Sequence, residues 1–182
     1  MATTTAPTGF GRAIWNAIKG GNQVHGVGLT PVSVSFAPPA TGSYNIPIFI
    51  APPQADGGYW KVEKAYITFE GTKVVGHATN RWSFELAAMQ DTNGDDTVDR
   101  NQDITNTATA LTAAAAPDGT DYMEFDPITM DVEGPESATP QSVFLEAGDV
   151  LVFEATDPGT VQNMSGNTMC VTVLLRHSPP GR

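Results

Sequence analysis

Val143-Phe144-Leu145-Glu146-Ala147-Gly148-Asp149-Val150-Leu151-Val152-Phe153-Glu154 reads as strand, turn, strand. Leu151 and Phe153 alternate with Val150 and Val152, and Glu146-Ala147-Gly148-Asp149 supplies the Gly and Asp of a tight reversal. A period of two puts alternate residues on opposite faces of a strand, and no helix presents its side chains in that way. The same period runs outward in both directions. Met169, Val171, Val173 and Leu175 close the chain, and Trp82, Phe84, Leu86 and Ala88 form a clean alternation upstream.

Val32, Val34 and Phe36 alternate with Ser33 and Ser35, while Ile46, Ile48 and Ile50 alternate across Pro47, which suits an edge strand or a bulge. From Tyr59 to Glu70 the phase slips: Trp60 and Val62 keep one face, Ala65, Ile67 and Phe69 the other. One extra residue near Glu63-Lys64, a β-bulge in a curved strand, accounts for the slip. Tyr122–Phe125 and Ile128–Val132 are further strand segments. The Ala/Thr-rich stretch 105–116 suits a short helix or a flat strand equally, because Ala favours the first and Thr the second. Eight or nine short strands with turn signals between them predict an all-β fold, an antiparallel two-sheet sandwich. A jelly roll fits first, and an immunoglobulin-like sandwich is the other arrangement the pattern admits. No internal repeat is present.

The one amphipathic helical pattern lies near the start, where Phe10, Ile14 and Ile18 recur at i, i+4 and i+8 and Trp15 adds a large apolar side chain. Thr8 is placed as N-cap and Gly20-Gly21 as the stop. So short a helix is unstable alone and must dock, either on its own domain or on a neighbouring subunit. The expected organisation is an arm over residues 1–22 and a sandwich over 23–182. At 182 residues a second full domain does not fit.

Charged residues make up only 16% of the chain, yet 20 acids against 9 bases give a net charge of −11. Such a chain repels phosphate backbones and anionic lipid, so neither nucleic acid nor membrane is an expected partner. Residues 1–62 carry Arg12, Lys19 and Lys61 against Asp56 alone, and no basic residue stands between Arg100 and Arg176. The single cysteine, Cys170, sits in an apolar run and reads as a small buried hydrophobe. The start lacks a basic residue followed by an apolar stretch, so synthesis in a cytoplasm is expected.

Asp91-Thr92-Asn93-Gly94-Asp95-Asp96-Thr97-Val98-Asp99-Arg100-Asn101-Gln102-Asp103 is the sharpest local signal. With Asp91 as the first loop position, oxygen side chains stand at Asp91, Asn93, Asp95 and Asp99, Thr97 is placed to offer its carbonyl, and Asp103 follows as a late acid. This resembles the calcium loop of EF-hand and dockerin proteins, in which alternating short oxygen ligands on a tight turn converge on one hard cation. The resemblance implies a structural calcium ion held by those six residues. Asp96 replaces the usual turn glycine and Gln102 the usual bidentate acid, so a plain acidic β-turn loop is the competing reading.

No G-x-S-x-G, P-loop or H-E-x-x-H motif occurs, and His25, His77 and His177 are far apart in sequence, so no catalysis is expected. Tyr59, Trp60, Tyr66 and Trp82 are the aromatics available for a sugar-stacking platform; Trp82 is in core phase, and Tyr59, on the opposite face from Trp60, is expected to be exposed.

The docking segment Phe10–Ile18, the Gly/Pro-punctuated strands and the closing runs Leu145–Glu154 and Val171–Arg176 resemble a jelly-roll decoration, or cement, protein from the head of a tailed bacteriophage. The resemblance implies a virion protein made in the host cytoplasm that binds the major capsid protein, or other virion subunits, on the outside of an assembled shell and stabilises it. It implies a homo-oligomer, a trimer where lattice symmetry is three-fold, with Phe10, Ile14, Trp15 and Ile18 as partner contacts and the weakly basic first third facing the lattice. A carbohydrate-binding or host-attachment module and a tail or baseplate subunit are the other readings that this set of features admits.

Overall fold

Alternating apolar residues drive this chain into strands because each strand can then bury one face and solvate the other. The computed structural model describes residues 28–38, 42–53, 58–79, 81–92, 97–105, 108–112, 116, 121–132, 143–156, 164 and 166–178. Among these residues there are twelve strands and no helix. They are β1 (Thr30–Phe36), β2 (Tyr44–Ile50), β3 (Tyr59–Glu70), β4 (Val74–Val75), β5 (Ser83–Gln90), β6 (Arg100–Asp103), β7 (Thr109–Ala110), β8 (Asp121–Tyr122), β9 (Ile128–Met130), β10 (Phe144–Leu145), β11 (Val150–Thr156) and β12 (Thr168–Ser178). The expected arm, with Phe10, Ile14, Trp15 and Ile18, lies outside the described residues.

One sheet runs β1-β12-β3-β10, with β9 also on β3; the other runs β2-β11-β5-β6, with β7 also on β5; β4 and β8 form a separate ribbon. Every pairing is antiparallel. The first strand pairs with the last, β2 with β11, β3 with β9 and β10, and β5 with β6. That is one long antiparallel hairpin rolled over on itself, the strand order of a jelly roll. It decides between the two sandwiches that the sequence pattern admits.

Inward residues of both sheets build one core. Val171, Val173, Ile67 and Ala65 from the first meet Phe84, Leu86, Leu151 and Phe153 from the second, and each of these eight is fully buried. Aromatic edges lock the sheets together: Phe36 lies 6.0 Å from Phe153, and Phe49 lies 5.5 Å from Trp60. Trp82 is fully buried and stacks on Phe84, as its phase predicts.

Both expected irregularities are present. Along β3 and β12, Lys64 faces Leu174 but Val62 faces Leu175, which leaves Glu63 as the extra residue. Along β2 and β11, Phe49 faces Leu151 and Pro47 faces Val152, so Ile48 is extra, next to the proline and on an edge strand. After that bulge the phase inverts: Phe49 packs on the core and Ile50 is 66% exposed. Proline donates no ladder hydrogen bond, so the strand tolerates it only at such an edge.

Three expectations need correction. Tyr122–Phe125 is not one strand: β8 ends at Tyr122, and a turn follows with Phe125 at φ +63°. Its N–H donates to the carbonyl of Phe69 at 2.8 Å, which holds the chain in that left-handed conformation. Cys170 is half-buried and not a core residue, because Met169 and Val171 take the inward positions and turn it to the outer face. Tyr59 is also half-buried, edge-on to Phe144 at 4.4 Å. Within the ambiguous 105–116 stretch, Thr109 and Ala110 form a strand on β5.

Candidate functional site

The acidic loop joins β5 to β6 at the end of the sandwich where the β10–β11 turn also lies. The Asp99 amide donates to the Gln90 carbonyl at 3.0 Å, which closes the base of the loop. The Asp99 Oδ2 accepts from the Thr92 amide at 2.8 Å and from the Thr92 hydroxyl at 2.5 Å. One carboxylate oxygen of Asp99 is therefore engaged inside the loop. Asp91, Thr97 and Asp99 are exposed, and Asn93 and Asp95 lie outside the described residues. Asp103 is carried away along β6 to face Ala87, four residues and roughly 13 Å along β5 from Asp91. Among the described residues no three acids, histidines or cysteines are grouped to hold a metal ion. The loop thus brings Asp91, Thr97 and Asp99 near one another and leaves Asp103 on the sheet.

Beneath the loop sits a cluster that the sequence reading did not single out. Asp149 is fully buried in the turn before β11, and its Oδ2 accepts the Glu146 amide at 2.7 Å. Arg100, the first residue of β6, reaches that carboxylate with Nη1 at 2.8 Å and donates from Nη2 to Gln102 Oε1 at 2.8 Å. Burial pushes the Asp149 carboxyl above its usual range, against the pull of the Glu146 amide and Arg100. Ala51 completes the junction, donating to the Asp149 carbonyl and accepting from Gly148. Gly148 is at φ +92°, and a Cβ there would stand 2.6 Å from Gln90 Nε2. The signal available in sequence was the lone basic residue Arg100 beside an acidic run, together with a Gly-Asp turn.

The outer faces of the two sheets differ in chemistry. On the first sheet, register aligns Ser33, Thr172, Tyr66 and Thr129 in one row and Ser35, Cys170 and Thr68 in the next. Ser33 and Thr172 hydroxyls are hydrogen-bonded at 2.9 Å. Charges on this sheet's strands are confined to Lys61, Glu63, Lys64, Glu70 and Arg176, and Glu63 is paired with both Lys61 and Arg176. On the second sheet, Ala87 and Val152 face each other and are buried although they point outward, and Met89 faces Val150. Acids border that apolar strip: Glu154 faces Glu85, with Asp103 on β6. Partial burial, then Glu85 and Asp103, raise the Glu154 carboxyl above its ordinary range.

Val75, Met123 and Phe125 are exposed apolar residues on the β4–β8 ribbon and its following turn, and Phe125 is 64% exposed. Of the four aromatics considered for a sugar-stacking platform, Trp60 and Trp82 turn inward, which leaves the half-buried Tyr59 and Tyr66, with Phe144 beside Tyr59. Lys73 pairs with Asp121 on that ribbon.

No protein-family model matches the sequence, and no curated protein matches it. Among solved structures, a chain of the cowpea mosaic virus empty virus-like particle is similar at 15% identity, over 88% of this chain and 90% of that chain, with a TM-score of 0.24.

Proposed function

We propose that this chain is a virion structural protein that binds the outer surface of an assembled phage capsid and stabilises the shell. The observation that carries this reading is the outer face of the first sheet: two register-matched rows of Ser, Thr, Tyr and Cys on a jelly roll whose chain bears a net charge of −11. Small hydroxyl and thiol side chains with one tyrosine cost little side-chain entropy to dock, and these two rows themselves carry no charge to bury. The acidic loop and the acid-bordered second sheet then stay in solvent.

Stabilisation follows from linkage. A subunit with affinity only for the assembled lattice lowers that state's free energy by RT ln(1 + [L]/Kd), about 2.7 kcal/mol per site at a hundredfold excess over Kd. The test is to add purified protein to shells that lack it and to follow cosedimentation and shell melting. Saturable binding with a raised shell melting temperature is the expected result, and Tyr66→Glu with Thr172→Glu should abolish it. Absence of the protein from purified virions by mass spectrometry refutes the reading. The carbohydrate-binding alternative is supported by the half-exposed Tyr59–Phe144 pair. Glycan-array binding abolished by Tyr59→Ala is the result that would favour it.

A further inference from the structure

The strand edges of this jelly roll are unequally protected. β2 carries Pro47 and a bulge at Ile48, two devices that spoil pairing with a further strand. At the opposite edges β6, β7, β9 and β10 are each two to four residues long. β1 is less defended: it has no bulge, its register with β12 is unbroken from Thr30 to Phe36, and its one proline, Pro31, stands at its start, so that each of the five residues after it retains an amide proton. Among the described residues no strand pairs with its outer side. Alternate N–H and C=O groups of β1 therefore face outward in a row, a template for another strand.

Charge marks the same flank. No Asp, Glu, Lys or Arg stands between Lys19 and Asp56, a span that contains both β1 and β2. These two edge strands adjoin, with the rings of Phe36 and Tyr44 5.9 Å apart. Natural edge strands are usually kept single by charged side chains, and none is present here. Two copies of an acidic molecule repel each other least where the facing strands carry no charge, as β1 and β2 do not.

The inward residues of β1 point the same way. Val32, Val34 and Phe36 are half-buried, whereas their partners Val173, Val171 and Met169 on β12 are fully buried. A further strand would cover what remains exposed. We propose that β1 pairs antiparallel with β1 of a second copy about a two-fold axis, joining the first sheets of two molecules into one. Such an isologous contact closes on itself, and facing residues share a face, so Val32, Val34 and Phe36 extend the core side and Ser33 and Ser35 extend the hydroxyl rows. The pairing stands whether or not the chain binds a shell. It gives a dimer in place of the three-fold cluster implied by the phage resemblance.

Pairing through one strand is at the small end of stable interfaces, so the dimer is reversible and must be read over a range of concentrations. Sedimentation velocity on the full chain should show a monomer–dimer equilibrium. In every face-matched register that pairs three or more of the β1 residues after Pro31, Ser33 or Ser35 of one copy faces Ser33 or Ser35 of the other. Like charges directly opposite are destabilising, so the double variant Ser33→Lys, Ser35→Lys should be monomeric, and so should Ser33→Glu, Ser35→Glu. Both serines are exposed, and an unchanged thermal melt of each diluted variant verifies its fold. An equimolar mixture of the Lys and Glu variants should regain the dimer. A wild-type chain that stays monomeric at its highest soluble concentration overturns the proposal. So does an oligomer, trimer included, that survives both double variants, or a mixture that stays monomeric.

Discussion

Replacing Arg100 with Gln leaves the Asp149 carboxylate buried with one strong donor, the Glu146 amide at 2.7 Å, where the native protein supplies a guanidinium at 2.8 Å as well. Asp149 is fully buried and the Arg100 side chain is only 23% exposed, so solvent screens this pair weakly. Breaking a buried pair by removing one partner costs about 3–5 kcal/mol, because the remaining charge has lost its compensation. For a chain of this length each 1 kcal/mol moves the melting temperature by roughly 2–4 °C, so a fall of at least about 6 °C is expected near neutral pH. The loss must also depend on pH. Burial already holds the folded Asp149 carboxyl above its unfolded value, and removing Arg100 raises it further. A raised acid takes up its proton in the folded state first, so the penalty develops as pH rises above the ordinary carboxylate range and levels off above the new folded value. Below that value protonation relieves the buried charge, by up to about 1.4 kcal/mol per pH unit. Urea melts of Arg100→Gln and wild type across acidic and neutral pH read both effects. A loss under about 1 kcal/mol that stays flat with pH refutes the assignment of this pair as the clamp beneath the acidic loop.

Gly71→Ala should destabilise the fold by more than about 1 kcal/mol in urea melts, since Gly71 is at φ +126° and a Cβ would stand 2.7 Å from the Gly166 carbonyl oxygen. Phe125→Gly should do the opposite: the left-handed conformation costs an L-residue about 1–2 kcal/mol, glycine's extra backbone entropy returns part of it, and a net gain of about 0.5–1 kcal/mol remains. Glu154→Gln should stabilise by a few tenths of a kcal/mol at neutral pH, because Glu154 faces Glu85. Its own carboxyl is raised, so the gain appears as pH climbs through the ordinary carboxylate range and vanishes in acid; a pH-independent difference in melting temperature contradicts it. If residues 91–99 hold calcium, the ion raises the melting temperature, chelator reverses this, and Asp91→Ala with Asp95→Ala abolishes the response; identical melts with calcium and with chelator dispose of the site.

The strands were legible in sequence because each buries one face, which leaves a period of two in Val32–Phe36, Trp82–Ala88 and Met169–Leu175. Even the two bulges left a trace, a phase slip around Glu63 and a proline at 47, because an extra residue inverts every side chain beyond it. Phe125 defeated the reading. Alternation continues through Tyr122–Phe125, but the amide of Phe125 is captured by the carbonyl of Phe69, fifty-six positions earlier, and no local pattern encodes a contact at that separation. Cys170 failed differently: the composition of the run Met169–Val173 suggests burial, but the alternation of Met169, Val171 and Val173 already sets Cys170 on the other face, where it lies between Ser35 and Thr68.

The site was legible only as chemistry. Asp91, Thr97 and Asp99 could be seen as oxygen donors on one loop, but their distance from Asp103 is set by how far β6 runs beside β5. The clamp beneath them joins residues 100 and 149, a pairing created when the rolled hairpin brings the β5–β6 and β10–β11 connections to the same end. The same rolling explains the division of charge. Because the first and second strands of the hairpin become the edges of the two sheets, β1 and β2, which carry no charged residue, lie along one flank. A sequence that is acidic on average thereby presents one neutral margin with an unblocked strand, and the charge-swapped serine variants of β1 ask whether that margin is a contact.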